Sequence, residues 1–223
     1  MDKNKSFDTR LVHAGSQPKH QKGVINPPVY RASTVIFPTV KAMKDAEKIK
    51  FDTTFYGVHG TPTTFALEEA MTEIEGGYRA ISLSSGLAAI TTALITFLQA
   101  GDHLLMVDSV YGPTRNFCNT TLKSFGIETT FYDPLIGNDI QDLIKRETKI
   151  IFTESPGSYT FEIQDIPAIV NTAHKHNIKV MIDNTWSAGY YFKPFDHGVD
   201  ISIQATTKYQ AGHADVILGH VIA

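Results

Sequence analysis

From residue 78 onward, short apolar runs alternate with amphipathic or glycine-bounded segments. The runs "YRAISLSS", "HLLMVDS", "IETTFYD", "KIIFTES", "IKVMIDN", "VDISIQAT" and "DVILGHVIA" read as strands. Most are continuous in Val, Ile and Leu rather than alternating, which is the mark of strands buried on both faces of a mostly parallel sheet. Between them, "GLAAITTALITFLQAGD", "GPTRNFCNTTLKSFG", "GNDIQDLIKRET" and "DIPAIVNTAHKHN" read as helices. A further helix is expected over "TPTTFALEEAMTEIEGG", with Thr63 or Thr64 as its N-cap and Gly76 and Gly77 as its stop. Strand and helix in alternation predict an α/β fold, a mostly parallel sheet with helices on both faces.

The first sixty residues break this rhythm. Pro27, Pro28 and Pro38 forbid a long helix and favour an extended path. "KAMKDAEKIKFD" is at most a short, exposed, charged helix, and "TTFYGVHGTPTT" is rich in turn residues. Residues 1–60 are therefore expected to be an irregular N-terminal arm, and 61–223 the ordered domain. Irregular segments of this length commonly contact a ligand or a partner.

Composition narrows the function. Hydrophobic residues are 42% and charged residues 19%, as a chain with a real core requires. The formal net charge is -3 with no basic stripe, which argues against nucleic acid and against an anionic membrane. The N-terminus has no apolar h-region and no later stretch suits a bilayer, so a cytoplasmic chain is expected. Cys118 is the only cysteine, so no intrachain disulfide forms, and a buried place in a helix is its expected setting. His174 and His176 stand two apart on a helix and face different ways, and no H-E-x-x-H occurs, so no metal is expected.

In open α/β sheets ligands gather beyond the carboxyl ends of the strands. The polar residues there are Ser84–Ser85–Gly86, Asp108–Ser109–Tyr111, Glu154–Ser155, Asp183–Asn184 and Thr206–Thr207–Lys208. "SLSSGLAAI" is a strand, a small-residue turn and a helix start. Its free amides suit a phosphate, or one of its serines simply caps the helix. Asp183 ends an apolar strand, either as a turn residue or as the partner of a ring nitrogen. Lys208 is either a surface lysine or an amine kept for chemistry in low-dielectric surroundings. No G-x-G-x-x-G or G-x-x-x-x-G-K-[ST] is present. An anion cradle, a carboxylate, a lysine and an aromatic in Tyr111 together describe a site for pyridoxal phosphate.

The stretches "YGVHGTPT", "SSGLAAI", "GDHLLMVDSVYGPT", "ESPGS", "MIDNTWSAG" and "SIQATTKYQAGHAD" resemble, in order, the Cys/Met-metabolism family of pyridoxal-phosphate enzymes. The resemblance implies the fold type I large domain of that cofactor class. It implies that Lys208 forms the Schiff base, that Asp183 pairs with the pyridinium nitrogen, and that Tyr111 stacks on the ring near the substrate. Gly86 and Leu87 would offer amides to the phosphate, Thr207 its hydroxyl, and Tyr56 would reach the phosphate of a neighbouring subunit. "ESPGS" and "FYDPLIGNDI" look like the bacterial cystathionine β-lyase branch, where γ-acting relatives typically read "ESPTNP". The implied reaction is α,β-elimination of cystathionine to homocysteine, pyruvate and ammonia in methionine biosynthesis. A homo-oligomer, dimer or tetramer, and a small amino-acid substrate follow from the same resemblance. A cysteine-type lyase is an alternative, and so is a non-catalytic remnant that keeps the fold.

Two departures from the family pattern stand out. Val58 occupies the place of the arginine in "Y-G-R", which removes a bidentate phosphate clamp unless a neighbour such as His59 substitutes. Relatives continue into a C-terminal domain carrying the arginine for the substrate carboxylate. From residues 1–223 the large domain is expected to be incomplete and that small domain absent.

Overall fold

The computed structural model describes residues 4–223 and resolves them into two compact units, one ending at Ile74 and one from Glu75 to Ala223. The first unit has more regular structure than its prolines suggest. Helix α1, Phe7–His13, is capped by the Ser6 hydroxyl, which accepts from the Thr9 amide, and carries Asp8 at its start and Arg10 and His13 at its end. Those charges complement the helix dipole. The helix escapes notice in the sequence because seven residues make too short a period to read. Helix α2, Val40–Lys48, is the expected charged helix, capped by Thr39. Single turns of 3-10 helix lie at Pro18–His20 and Gly57–His59.

Helix α3, Pro62–Glu75, begins two to three residues earlier than expected. Proline suits a first helical position, since its missing N–H would have had no partner there. Thr63 consequently lies inside the first turn, where its hydroxyl donates to Pro28 O at 2.7 Å and accepts from the Tyr30 amide at 2.8 Å. The arm is thus pinned to α3 by a side chain that reads in the sequence as a cap. Arg10 adds a partly buried ion pair with Glu73 at 2.6 Å. Gly57 is needed for close approach, because a Cβ there would sit 2.0 Å from Ala32 O.

The second unit is built on a seven-stranded sheet: β1 Ala80–Leu83, β2 His103–Val107, β3 Glu128–Tyr132, β4 Thr148–Glu154, β5 Lys179–Asp183, β6 Ile201–Gln204 and β7 Gly219–Ile222. Their order is β1-β7-β6-β5-β4-β2-β3. Strand β7 is antiparallel to both neighbours, and every other pair is parallel. Six strands therefore run one way, and their carboxyl ends share one edge of the sheet. All five residues of β2 are buried, as a strand covered on both faces must be.

Helices α4 Gly86–Phe97 and α6 Ile166–Lys175 pack on this sheet, and α5 Gly112–Phe117 packs against α4. Helix α5 runs on into a π turn over Cys118–Leu122, where Cys118 is buried and its thiol is pushed up to about 11 by burial. It is inert packing rather than a nucleophile. The helix expected over residues 137–148 is instead a 3-10 turn, Gly137–Leu143. Ile140 is buried there, with Ile136, Leu143 and Ile144 partly buried against the core, so the segment seats its apolar side chains in a tighter turn than an α-helix. None of the described helices is long and apolar enough to cross a membrane.

A carboxylate at the end of α3 is held by β6 and by the residue after β5. Glu75 is fully buried and accepts from Ser202 Oγ at 2.6 Å, Gln204 Nε2 at 2.5 Å and Asn184 Nδ2 at 3.1 Å. Burial raises its pKa, against these donors and the Lys193 charge. Glu75→Ala would leave three buried donors facing a void. We expect it to cost about 3 kcal/mol or more, seen as a lower urea midpoint, with Glu75→Gln costing less.

Candidate active site

The carboxyl ends of β1, β4, β5 and β6 open into one cavity of about 940 Å³ within the second unit. Ser85, Gly86, Leu87, Tyr111, Glu154, Asp183, Thr207 and Lys208 all line it. The chain leaves β2 toward β3 on one side and returns to β4 on the other, so the loops after β2 and β4 part between these neighbouring strands. Such a divergence is where open sheets form ligand crevices. Here the two loops are tied across the divide. The Tyr111 amide donates to Glu154 Oε2 at 2.8 Å, and the Ser158 amide to Ser109 O at 2.8 Å.

The start of α4 resolves one question left open by the sequence. Ser85 is the N-cap, its hydroxyl accepting from the Ala88 amide at 3.0 Å. The amides of Gly86 and Leu87 come before the first turn's intrahelical acceptors, so capping and anion binding use different groups. A Cβ on Gly86 would lie 2.5 Å from Ala205 Cβ, which explains glycine at this position. The cradle is also pressed against β7, where a Cβ on Gly219 would meet Ser85 O at 2.2 Å.

Asp183 ends β5 and is buried, accepting from the Thr185 amide at 3.1 Å. Burial raises its pKa. A desolvated carboxylate facing a cavity fits a ligand that brings a positive charge, such as a protonated ring nitrogen. With the unpaired amides at α4, the donor set accommodates pyridoxal phosphate at both ends.

Lys208 takes the exposed of its two sequence settings, and the strand before it ends earlier than the run "VDISIQAT" suggests. Strand β6 stops at Gln204, and Lys208 sits in a turn four residues later, exposed at the cavity. Its ammonium hydrogen-bonds to none of the described residues, so no structural duty competes with a chemical one. Tyr111 is 41% exposed and caps α5 through its backbone, leaving the ring free toward the cavity. The Thr207 hydroxyl is engaged: it donates to Leu218 O at 3.0 Å and accepts from the Leu218 amide at 2.9 Å. To serve a phosphate it must turn its proton away from Leu218. Tyr56 belongs to the first unit, at the N-cap of the Gly57–His59 turn, and Val58 beside it is 78% exposed.

Two buried residues, Glu154 on the cavity wall and His220 outside its lining, were not singled out from sequence. Glu154 was visible only as one of several polar residues after a strand, yet it is buried and its carboxyl is pushed up to about 8 by burial and then by the Asp183 charge. His220, on β7, is fully buried with Nδ1 2.6 Å from Thr206 Oγ1 and Nε2 3.0 Å from Ser82 Oγ. Burial drops its pKa to about 4, so it is a neutral strut between the strand before the cradle and the loop before Lys208. No alternation around "LGHVIA" signals that role. Among the described residues no His, Cys, Asp and Glu group could hold a metal.

A family profile described as Cys/Met metabolism PLP-dependent enzyme matches residues 8–223. A Rhizobium johnstonii protein, provisionally named a cystathionine beta-lyase, is 53% identical over 99% of this chain and 54% of its own length. The cystathionine beta-lyase of Haemophilus influenzae is 46% identical over 97% of this chain and 56% of itself. The L-alanine/L-glutamate racemase of Wolbachia pipientis is 43% identical over 96% and 55%. Among solved structures, metB from Corynebacterium glutamicum superposes on the whole chain and 56% of its own with a TM-score of 0.92 at 31% identity. A Campylobacter jejuni protein, provisionally named an O-acetylhomoserine (thiol)-lyase, was solved with N'-pyridoxyl-lysine-5'-monophosphate. It matches with a TM-score of 0.88 and 30% identity over 98% of this chain and 54% of that one. The chain spans about half the length of the relatives it matches.

Proposed function

The chain belongs to the Cys/Met-metabolism family of pyridoxal-phosphate-dependent enzymes, and on that premise we propose that its second unit binds the cofactor for carbon–sulfur elimination from cystathionine. The observation that carries this reading is the convergence of free helix amides, a buried carboxylate and an unengaged lysine on one cavity. When bound, the cofactor supplies a conjugated ring that accepts the electron pair released at the substrate Cα. Each of the chain's own residues has a matching task. The amides of Gly86 and Leu87 hold the phosphate at the positive end of α4, with Thr207 adding its hydroxyl once rotated. Asp183 keeps the ring nitrogen protonated. Lys208 would hold the cofactor covalently, and its Nζ would serve as the general base that takes the substrate Cα proton. Tyr111 flanks the ring. Tyr56 is assigned, on the sequence likeness, to the phosphate of a neighbouring subunit. With the thiolate leaving from Cβ, the products are homocysteine, pyruvate and ammonia.

A second reading has its own support. The Wolbachia racemase is 43% identical, three percentage points below the Haemophilus lyase, so overall likeness does not separate these two chemistries. Racemisation needs the same Cα proton removal and returns the proton instead of expelling a thiolate. Both are tested by loading the chain with pyridoxal phosphate and offering L-cystathionine and, separately, L-alanine. Thiol and pyruvate released from cystathionine are expected. D-alanine formed without thiol release would move the assignment to the racemase, and a chain that takes up no cofactor would overturn both.

A further inference from the structure

We propose that Glu154 and Asp183 form a carboxyl pair that shares one proton, in which Glu154 positions Tyr111 and the Ser158 turn, and which releases that proton when a cationic ring nitrogen seats against Asp183. This deepens the cofactor reading above and rests on it for its last clause alone. Glu154 and Asp183 are register partners at the ends of the parallel strands β4 and β5. Neighbours at matched positions project to the same face and stand about 5 Å apart along the hydrogen-bonding direction. Both carboxyl groups line the cavity and both are 8% exposed.

Their hydrogen bonds divide the labour. Glu154 accepts with both oxygens, from the Tyr111 amide at Oε2, 2.8 Å, and from Ser158 Oγ at Oε1, 2.6 Å. It is therefore built as the ionised member. Asp183 accepts from Thr185 at Oδ1, 3.1 Å, which leaves Oδ2 to carry a proton. Two buried negative charges on adjoining strands repel in a medium that screens poorly, so one is neutralised. Burial raises both groups, and a charge on either carboxylate opposes ionisation of the other, so the pair keeps one proton whichever oxygen carries it. The other titratable groups lining the cavity are Lys208, His213, Tyr111, Tyr159 and Tyr209.

Glu154 acts through its neighbours, so it is a positioning residue. Its grip on the Tyr111 backbone sets where that ring stands. Its hold on Ser158 fixes a turn already tight against the loop after β2, since a Cβ on Gly157 would meet Ser109 Oγ inside contact distance. When a protonated nitrogen arrives beside Asp183, the carboxyl O–H breaks, its proton passes to solvent, and no electrons change hands. The pair then carries two negative charges against one positive charge, with the Tyr111 and Ser158 donors on the second carboxylate.

The experiment has two readouts besides turnover. In the cofactor-free chain, infrared difference spectra should show one protonated carboxyl at neutral pH, titrating above the ordinary carboxylate range and missing from Glu154→Gln. On adding pyridoxal phosphate, calorimetry in buffers of different ionisation enthalpy should show about one more proton released by the natural chain than by Glu154→Gln. Correspondingly, affinity for the natural chain should gain up to about tenfold per pH unit relative to the variant, below the pH where the pair ionises. Ser158→Ala keeps both carboxyls and should keep the release. Glutamine can accept from Tyr111 and donate to Ser158, so Glu154→Gln is expected to fold, checked by circular dichroism. A natural chain with no protonated carboxyl at neutral pH refutes the proposal whether or not Glu154→Gln folds, and so does equal proton release from the two chains. A chain that binds no pyridoxal phosphate overturns the proposed function, while the infrared band still decides for or against the proton-sharing pair.

Discussion

Lys208→Ala is expected to fold as the natural chain does and to lose covalent retention of pyridoxal phosphate altogether. The two halves of that expectation have separate physical causes. Lys208 is exposed in a turn and its ammonium bonds to none of the described residues, so its removal should shift stability by about 0.5 kcal/mol or less. Chemically it has no substitute, because no other lysine lines the cavity. Borohydride reduction of the loaded natural chain, followed by peptide mapping, should place the label on the peptide containing Lys208, and the variant should carry none. Turnover should fall by several orders of magnitude, as it does when a covalent catalyst that is also the base is lost. A label concentrated on another lysine would overturn the assignment.

Gly219→Ala is expected to be the most damaging conservative change in the second unit. Glycine is needed there for proximity rather than for a turn. The new Cβ would stand 2.2 Å from Ser85 O, 2.5 Å from Ser85 C and 2.8 Å from Gly86 N, all main-chain atoms that no rotamer can move aside. Relief requires β7 or the start of α4 to shift. The expected cost is about 3 kcal/mol, the upper range for overpacking a rigid site. Any shift is taken up at Ser85–Gly86, so phosphate affinity should drop by at least about tenfold along with the thermal midpoint. Stability measured by urea and affinity measured by cofactor fluorescence should therefore fall together. A variant that loses stability with unchanged cofactor affinity would show that the cradle is not braced by β7.

Asp183→Asn separates electrostatics from packing at the same cavity. The amide keeps the acceptor for the Thr185 amide and removes the charge, so the variant should fold, with altered cofactor absorption and little elimination. Global unfolding, read by circular dichroism, would make Asp183 a structural turn residue.

The amino-acid sequence by itself determined the strand succession, because each strand is a local run of Val, Ile and Leu and burial on both faces leaves a continuous signature. It also determined which residues lie at strand ends, and hence Asp183, Tyr111 and the Ser85–Gly86 turn as candidates. Where local signals are weak, it misled. Residues 137–148 carry helix-forming side chains, yet the segment seats its apolar side chains in a tighter turn, and α1 is too short to show a period. The end of the strand before Lys208 was read two residues late, at 206 rather than Gln204, because the polar residues that follow leave no local mark of where pairing stops.

Only the tertiary structure decided how these pieces combine. The reversal of β7, the pairing of Glu154 with Asp183, and the bridge from His220 to Thr206 and Ser82 join positions tens to more than a hundred residues apart. The requirement for glycine at 219 is of the same kind, since it exists only because Ser85 lies against it. Periodicity reports what a residue's immediate neighbours bury. Which distant carboxylate, hydroxyl or backbone oxygen stands across from it is set by strand order, and strand order is a property of the folded sheet.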